Sequence, residues 1–142
     1  MTTIAYNHED KEIAVDSRTT ECGVIITDED LKYKEIDGVF FISCGGVSDA
    51  EALISAYLGD KPSKASLDAN IIILNKDGVF CASYIVGFLN VCEINHNAAW
   101  GSGEKFALSA MDFGESAKDA VKYAMTRDIY TGGKVRVIKV KL

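Results

Sequence analysis

Asp37-Gly38 stands between two stretches of opposite character, and the trio limits the folds open to this chain. Residues 31–36 alternate apolar and charged side chains, whereas residues 39–43 form an apolar run that leads into Cys44-Gly45-Gly46. Asp-Gly between two such runs is a strong hairpin signal, because its residues accept the positive φ of a tight turn. Residues 3–6 and 12–15 frame a second hairpin across the turn-rich Asn7-His8-Glu9-Asp10. A short apolar run over 23–26 is followed by an acidic turn at 27–30. Beyond the glycines the period changes. Ser48 is positioned to cap a helix over 49–58, with Ala52, Leu53, Ala56 and Tyr57 on its apolar face, and Gly59 to Pro62 stop it. Residues 69–74, 79–84 and 85–94 read as further strands, the first two joined by the turn at 75–78. Gly101-Ser102-Gly103 opens a helix over 104–113 that Gly114 breaks. Ser116 caps the next helix, to about residue 127, and residues 135–140 close the chain as a strand. Strand runs, one helix, more strands, two consecutive helices and a final strand do not make a doubly wound sheet. The order predicts an α+β fold of antiparallel sheets covered by helices.

The bulk properties narrow the function without naming it. The 142 residues suit one domain with a substantial core, and no repeat or linker divides them. A formal net charge of −6 argues against nucleic acid or an anionic membrane as the main partner, since both reward basic patches. The apolar runs are far too short to span a bilayer, and the N-terminus has no signal-peptide pattern, so a cytoplasmic protein is expected. Cys22, Cys44, Cys81 and Cys92 have no CxxC spacing and no adjacent histidine pair, which predicts reduced, mostly buried cysteines and no metal site. His8 and His96 are not tied to any cysteine in sequence and read as surface or structural residues.

The first residues carry the candidate chemistry. If Met1 is removed, Thr2 holds both a hydroxyl and a free α-amine. Such an amine titrates near pKa ~8, so it can accept the hydroxyl proton at physiological pH with no histidine required. The bland alternative is that residues 2–6 simply open a strand.

Several short stretches, taken in order, resemble the proteasome β-subunit family, including the bacterial proteasome-like peptidase that works with an ATPase ring. They are Thr2-Thr3-Ile4; Ile13-Ala14-Val15-Asp16-Ser17-Arg18-Thr19-Thr20; Lys32 to Asp37; Ile42-Ser43-Cys44-Gly45-Gly46 with Asp49-Ala50; Gly101-Ser102-Gly103; and Arg127-Asp128 with Thr131-Gly132-Gly133. Each alone is ordinary: a turn, a helix start or a solvated lysine. The resemblance implies a four-layer α-β-β-α sandwich of two antiparallel sheets, the N-terminal nucleophile hydrolase fold. It implies Thr2 as nucleophile, Lys32 beside it to stabilise the alkoxide, Asp16 to hold Lys32, and the Gly45 N–H facing the oxyanion. Ser102, Asp128 and Thr131 would surround the Thr2 amine; the family often has serine where this chain has Thr131. Thr20 and Gly45-Gly46-Val47 would bind substrate backbone by strand addition, and the first specificity pocket would lie near Thr19, Ser43 and Val47. No metal or other cofactor is implied. A peptide or protein substrate, a homo-oligomer and an ATPase or other protein partner are.

Two departures from the family pattern matter. Only one helix fits between the glycine segment and the next strand, where the family has two. No propeptide is expected, so activation needs only loss of Met1. A chain that keeps Met1 reads instead as a non-catalytic proteasome-like binding protein, and a third reading is an unrelated α+β structural domain. The compact size suggests a phage or bacterial origin.

Overall fold

The computed structural model describes residues 1–140. In chain order the first elements are β1 (Thr3–Asn7), β2 (Glu12–Val15), β3 (Thr19–Glu21), β4 (Val24–Thr27), β5 (Tyr33–Ile36) and β6 (Val39–Gly45). Helix α1 (Val47–Tyr57) precedes β7 (Ala69–Asn75), β8 (Gly78–Ile85), β9 (Phe88–Glu93) and β10 (Ala98–Gly101). Helices α2 (Glu104–Asp112) and α3 (Ala117–Met125) and strand β11 (Arg136–Lys139) complete the fold. The described residues divide into two compact units, one made of residues 1–32 with 95–140, the other of residues 33–94.

In the first unit an antiparallel sheet runs in the order β10-β1-β2-β11, with α2 and α3 packed on it. The seam is built from alanine: Ala5 and Ala14 of the sheet meet Ala107, Ala110, Ala117, Ala120 and Ala124 of the helices, with Met111 and Val121 filling the gaps. Small side chains let helix and sheet approach closely, so the residues following β2 and α3 are held on stiff supports. Ser116 caps α3 as expected, its hydroxyl accepting the Asp119 N–H at 3.1 Å. The same unit carries the β3–β4 hairpin.

The second unit is a five-stranded antiparallel meander, β5-β6-β7-β8-β9, with α1 across one face. The strand period of two puts Phe41, Ile71, Ile73, Ala82 and Tyr84 against Ala50, Leu53 and Ile54 of α1. Each fully buried leucine or isoleucine there contributes about 1.5–3 kcal/mol. Ala52 and Tyr57, expected on the buried face, lie at its margin instead. After α1 the chain crosses to β7 without a second helix, and Asp49 anchors that crossing: its carboxylate accepts from Asp68 N at 2.7 Å and from Lys64 Nζ at 2.8 Å.

The α+β class and antiparallel sheets expected from the element order are present, with local corrections. Gly46, not Ser48, is the N-cap of α1, so Ser48 sits inside the first turn. The expected strand over 85–94 is broken by a two-residue turn at Val86-Gly87, with φ of 49° and 80°. Valine is a poor residue for positive φ, which hid this turn from a composition-based reading. Residues 19–21 pair as β3, and 98–101 pair as β10, where no strand was expected. Lys32 precedes β5 rather than lying in it. The cysteines are not mostly buried: Cys22 and Cys92 are exposed, Cys44 and Cys81 half-buried.

Candidate active site

Eight of the expected site residues lie in the first unit, and five of them form two groups about the first residues of β1. Asp16, fully buried at the end of β2, anchors one group. Its Oδ1 accepts from Lys32 Nζ at 2.9 Å and from the Thr3 N–H at 3.1 Å, and its Oδ2 from the Gly132 N–H at 3.1 Å. Lys32 Nζ also donates to the carbonyl oxygens of Arg18 at 2.6 Å and Met1 at 2.8 Å. Three acceptors match the three protons of an ammonium. The lysine side chain is only 6% exposed, so this ion pair sits out of water, and either charge alone would be strongly unfavourable there.

Asp128, just past α3, anchors the second group. Its Oδ2 accepts from Ser102 Oγ at 2.5 Å and Thr131 Oγ1 at 2.6 Å, while Oδ1 accepts from the Tyr130 N–H at 3.2 Å. Burial pushes the Asp128 carboxyl up, but the bonds from Ser102, Thr131 and Tyr130, with the Met1 ammonium nearby, hold it below its ordinary value. This side of the site therefore carries a negative charge near the amine at the chain start.

Between the groups lies Thr2, 9% exposed, with its carbonyl accepting the Ser102 N–H at 2.9 Å. Gly101-Ser102-Gly103 makes this possible. Gly101 has φ of 100°, and a Cβ on it would stand 1.6 Å from the Thr2 carbonyl oxygen. A Cβ on Gly103 would stand 2.4 Å from Thr3 Oγ1. Both glycines are thus required by the backbone's approach to residues 2 and 3, not only by a turn before a helix.

The remaining expected residues are placed as follows. Thr19 and Thr20 are half-buried on β3; Thr19 Oγ1 donates to Asp30 Oδ2 at 2.5 Å, and Thr20 pairs with Ile25. Ser43, Gly45, Gly46 and Val47 belong to the second unit, at the end of β6 and the start of α1. A Cβ on Gly45 would stand 2.7 Å from backbone atoms of Asp68 and Ala69, so the neighbouring strand already demands glycine there. Gly46 N–H donates to Asp68 O at 3.1 Å, and Val47 is 82% exposed.

Two structural contributors were not singled out by sequence reasoning. Thr3 is fully buried: beyond its N–H bond to Asp16, its hydroxyl lies 2.6 Å from Thr131 Oγ1 and accepts the Gly103 N–H at 3.0 Å. The Arg18 guanidinium clamps the base of the β3–β4 hairpin, donating to both Asp28 carboxylate oxygens at 2.8 and 3.2 Å and to Ile129 O at 2.9 Å. The signal for Thr3 was present, since a second threonine beside the candidate nucleophile is polar where a buried strand favours Val or Ile.

No protein-family model matches the sequence, and no curated protein does. Among solved structures, eukaryotic HslV from Trypanosoma brucei superposes with a TM-score of 0.71 at 19% identity, covering 96% of this chain and 97% of that one. BPH from Thiobacillus denitrificans in complex with epoxomicin gives a TM-score of 0.69 at 17% identity, covering 99% of each chain. Another structure of that BPH gives 0.69 at 16% identity over 99% of this chain and 98% of that one. At such low identity it is the path of the backbone that is shared. The chain has the fold of the HslV and proteasome-like peptidases, the N-terminal nucleophile hydrolase fold.

Proposed function

We propose that this chain is a threonine-type N-terminal-nucleophile hydrolase of peptide or amide bonds, with Thr2 as nucleophile once Met1 has gone. One observation carries the reading: the buried Lys32 ammonium, paired with Asp16, donates to the carbonyl of the Met1–Thr2 peptide bond at 2.8 Å. A cation fixed at that carbonyl would face the Thr2 region after Met1 leaves, where it lowers the energy of a developing alkoxide. Asp16 keeps Lys32 in place. Ser102, Asp128 and Thr131 attend the new α-amine, which takes the hydroxyl proton. Gly45 supplies the oxyanion N–H, and Thr19, Thr20, Ser43, Gly46 and Val47 bind the extended substrate. A preorganised donor of that kind is commonly worth about 3–4 kcal/mol. A homo-oligomer and an ATPase or other protein partner belong to the same reading.

The test begins with the intact mass of untagged protein and proceeds to labelling with epoxomicin, the compound bound by the BPH of the same fold. Loss of Met1 and one inhibitor per chain, absent from Thr2→Ala, are expected. A Thr2→Ala variant with undiminished hydrolysis would sink the proposal.

A second reading follows if Met1 stays on. With Met1 attached, the Thr2 nitrogen is an amide and cannot act as a base, and Lys32 is engaged by the Met1 carbonyl. A chain that keeps Met1 in cells would act as a non-catalytic binding protein, and its function would survive Thr2→Ala.

A further inference from the structure

We propose that Thr3 is a positioning residue whose hydroxyl supplies the incoming donor to the hydrogen-bond chain that ends on Asp128, and so helps set the Thr2 amine. This rests on the hydrolase reading above. The direction follows from counting protons. Ionised Asp128 has none to give, so the Ser102 and Thr131 hydroxyls must both donate to its Oδ2, at 2.5 and 2.6 Å. Thr131 has one hydroxyl proton, and that bond uses it. The 2.6 Å contact between Thr131 Oγ1 and Thr3 Oγ1 therefore takes its proton from Thr3. The Thr3 oxygen in turn accepts the Gly103 N–H at 3.0 Å. Donation runs one way: Gly103 N–H to Thr3, Thr3 to Thr131, Thr131 to Asp128.

Burial makes the chain consequential. Thr3 is fully buried and Thr131 is 1% exposed, so water cannot readily replace a missing member. A deleted Thr3 hydroxyl leaves the Gly103 N–H orphaned beside Ser102 and leaves Thr131 without its incoming donor. Thr3 also ties the two halves of the site through its backbone, since its N–H donates to Asp16 at 3.1 Å and the neighbouring Thr2 carbonyl is held by Ser102 N–H at 2.9 Å. Packing alone does not account for the residue: valine has the same shape and suits a buried strand better.

The experiment compares wild type with Thr3→Val, which keeps the shape, and Thr3→Ser, which keeps the hydroxyl. One readout is the Asp128 carboxyl titration by 13C NMR, and the other is kcat and KM for peptide hydrolysis or the epoxomicin labelling rate. In Thr3→Val, Asp128 is expected to titrate at higher pH, with kcat or labelling reduced roughly ten-fold, one hydrogen bond's effect, and KM little changed. Thr3→Ser restores both. An unchanged Asp128 titration in folded Thr3→Val overturns the proposal. A wild type that neither hydrolyses nor labels defeats the hydrolase reading, while the titration still decides the hydrogen-bond chain. Should Thr3→Val not fold, the wild type itself answers through its buried hydroxyl protons. A nuclear Overhauser contact from the Thr3 hydroxyl proton to the Thr131 Hβ supports the assigned direction, and one from the Thr131 hydroxyl proton to the Thr3 Hβ reverses and overturns it.

Discussion

Lys32 and Met1 are joined by a 2.8 Å hydrogen bond from the ammonium to the carbonyl oxygen of the Met1–Thr2 peptide bond. The other two Lys32 protons go to Asp16 and to the Arg18 carbonyl, neither of which involves Met1. Loss of Met1 would thus release one donor of a lysine that stays anchored by two bonds. The released donor would face the new amine of Thr2, whose nitrogen belonged to that same peptide bond.

Lys32→Ala is expected to abolish epoxomicin labelling and also to unfold more easily, by about 3–5 kcal/mol, because Asp16 is left charged and fully buried. Asp16→Asn keeps the shape but orphans the lysine, so it should lose both stability and labelling in the same direction. Urea unfolding beside labelling separates the effects. Wild-type labelling in Lys32→Ala would remove the lysine from the mechanism.

Gly101→Ala and Gly114→Ala make a matched pair. Both glycines have positive φ, 100° and 96°, but an added Cβ meets the Thr2 carbonyl oxygen in the first case and nothing within 4 Å in the second. Gly114→Ala should cost only the left-handed backbone penalty, about 1–2 kcal/mol. Gly101→Ala should cost about 4 kcal/mol or more, or fail to fold. Equal melting temperatures for the two would contradict the close approach of β10 to Thr2.

Asp128 sets an acid limit. Its folded carboxyl titrates below the ordinary value, so its ionised form favours the fold. That contribution is fully present above the ordinary carboxylate range and is lost as pH falls through the lowered value. Unfolding curves for wild type and Asp128→Asn should therefore be well separated at neutral pH and converge on acidification. A gap that is constant with pH would show that Asp128 does not titrate as its hydrogen bonds require.

The cysteines give a direct check on the fold. Exposed Cys22 and Cys92 should react with a thiol reagent before half-buried Cys44 and Cys81, giving two fast equivalents and two slow ones. Four equal rates would be inconsistent with this burial.

Legibility followed the physics of each signal. The Asp37-Gly38 turn, the Ser116 cap and the two C-terminal helices were readable because they rest on local backbone preferences. Val86-Gly87 was not, because valine in a left-handed turn runs against those preferences and is imposed by the β8–β9 pairing. At the site, Asp16, Lys32, Ser102, Asp128 and Thr131 were picked out by the resemblance of their stretches to the proteasome β-subunit family. Their mutual bonds span up to 26 residues of sequence and could not be read from spacing. Thr3 escaped because its role depends on Gly103 and Thr131, 100 and 128 positions away.

Those last separations carry a consequence for the order of synthesis. Among the described residues the Thr3 hydroxyl finds its partners at Gly103 and Thr131, made long after it, and Asp16 receives the N–H of Gly132. Contacts so distant in sequence form late, after the intervening loop has closed. A ribosome releasing this polypeptide would expose its earliest residues long before their setting exists. Thr2 and Thr3 would emerge before the residues that bond them, so a stalled or truncated product would carry both without Ser102, Gly103 or Thr131.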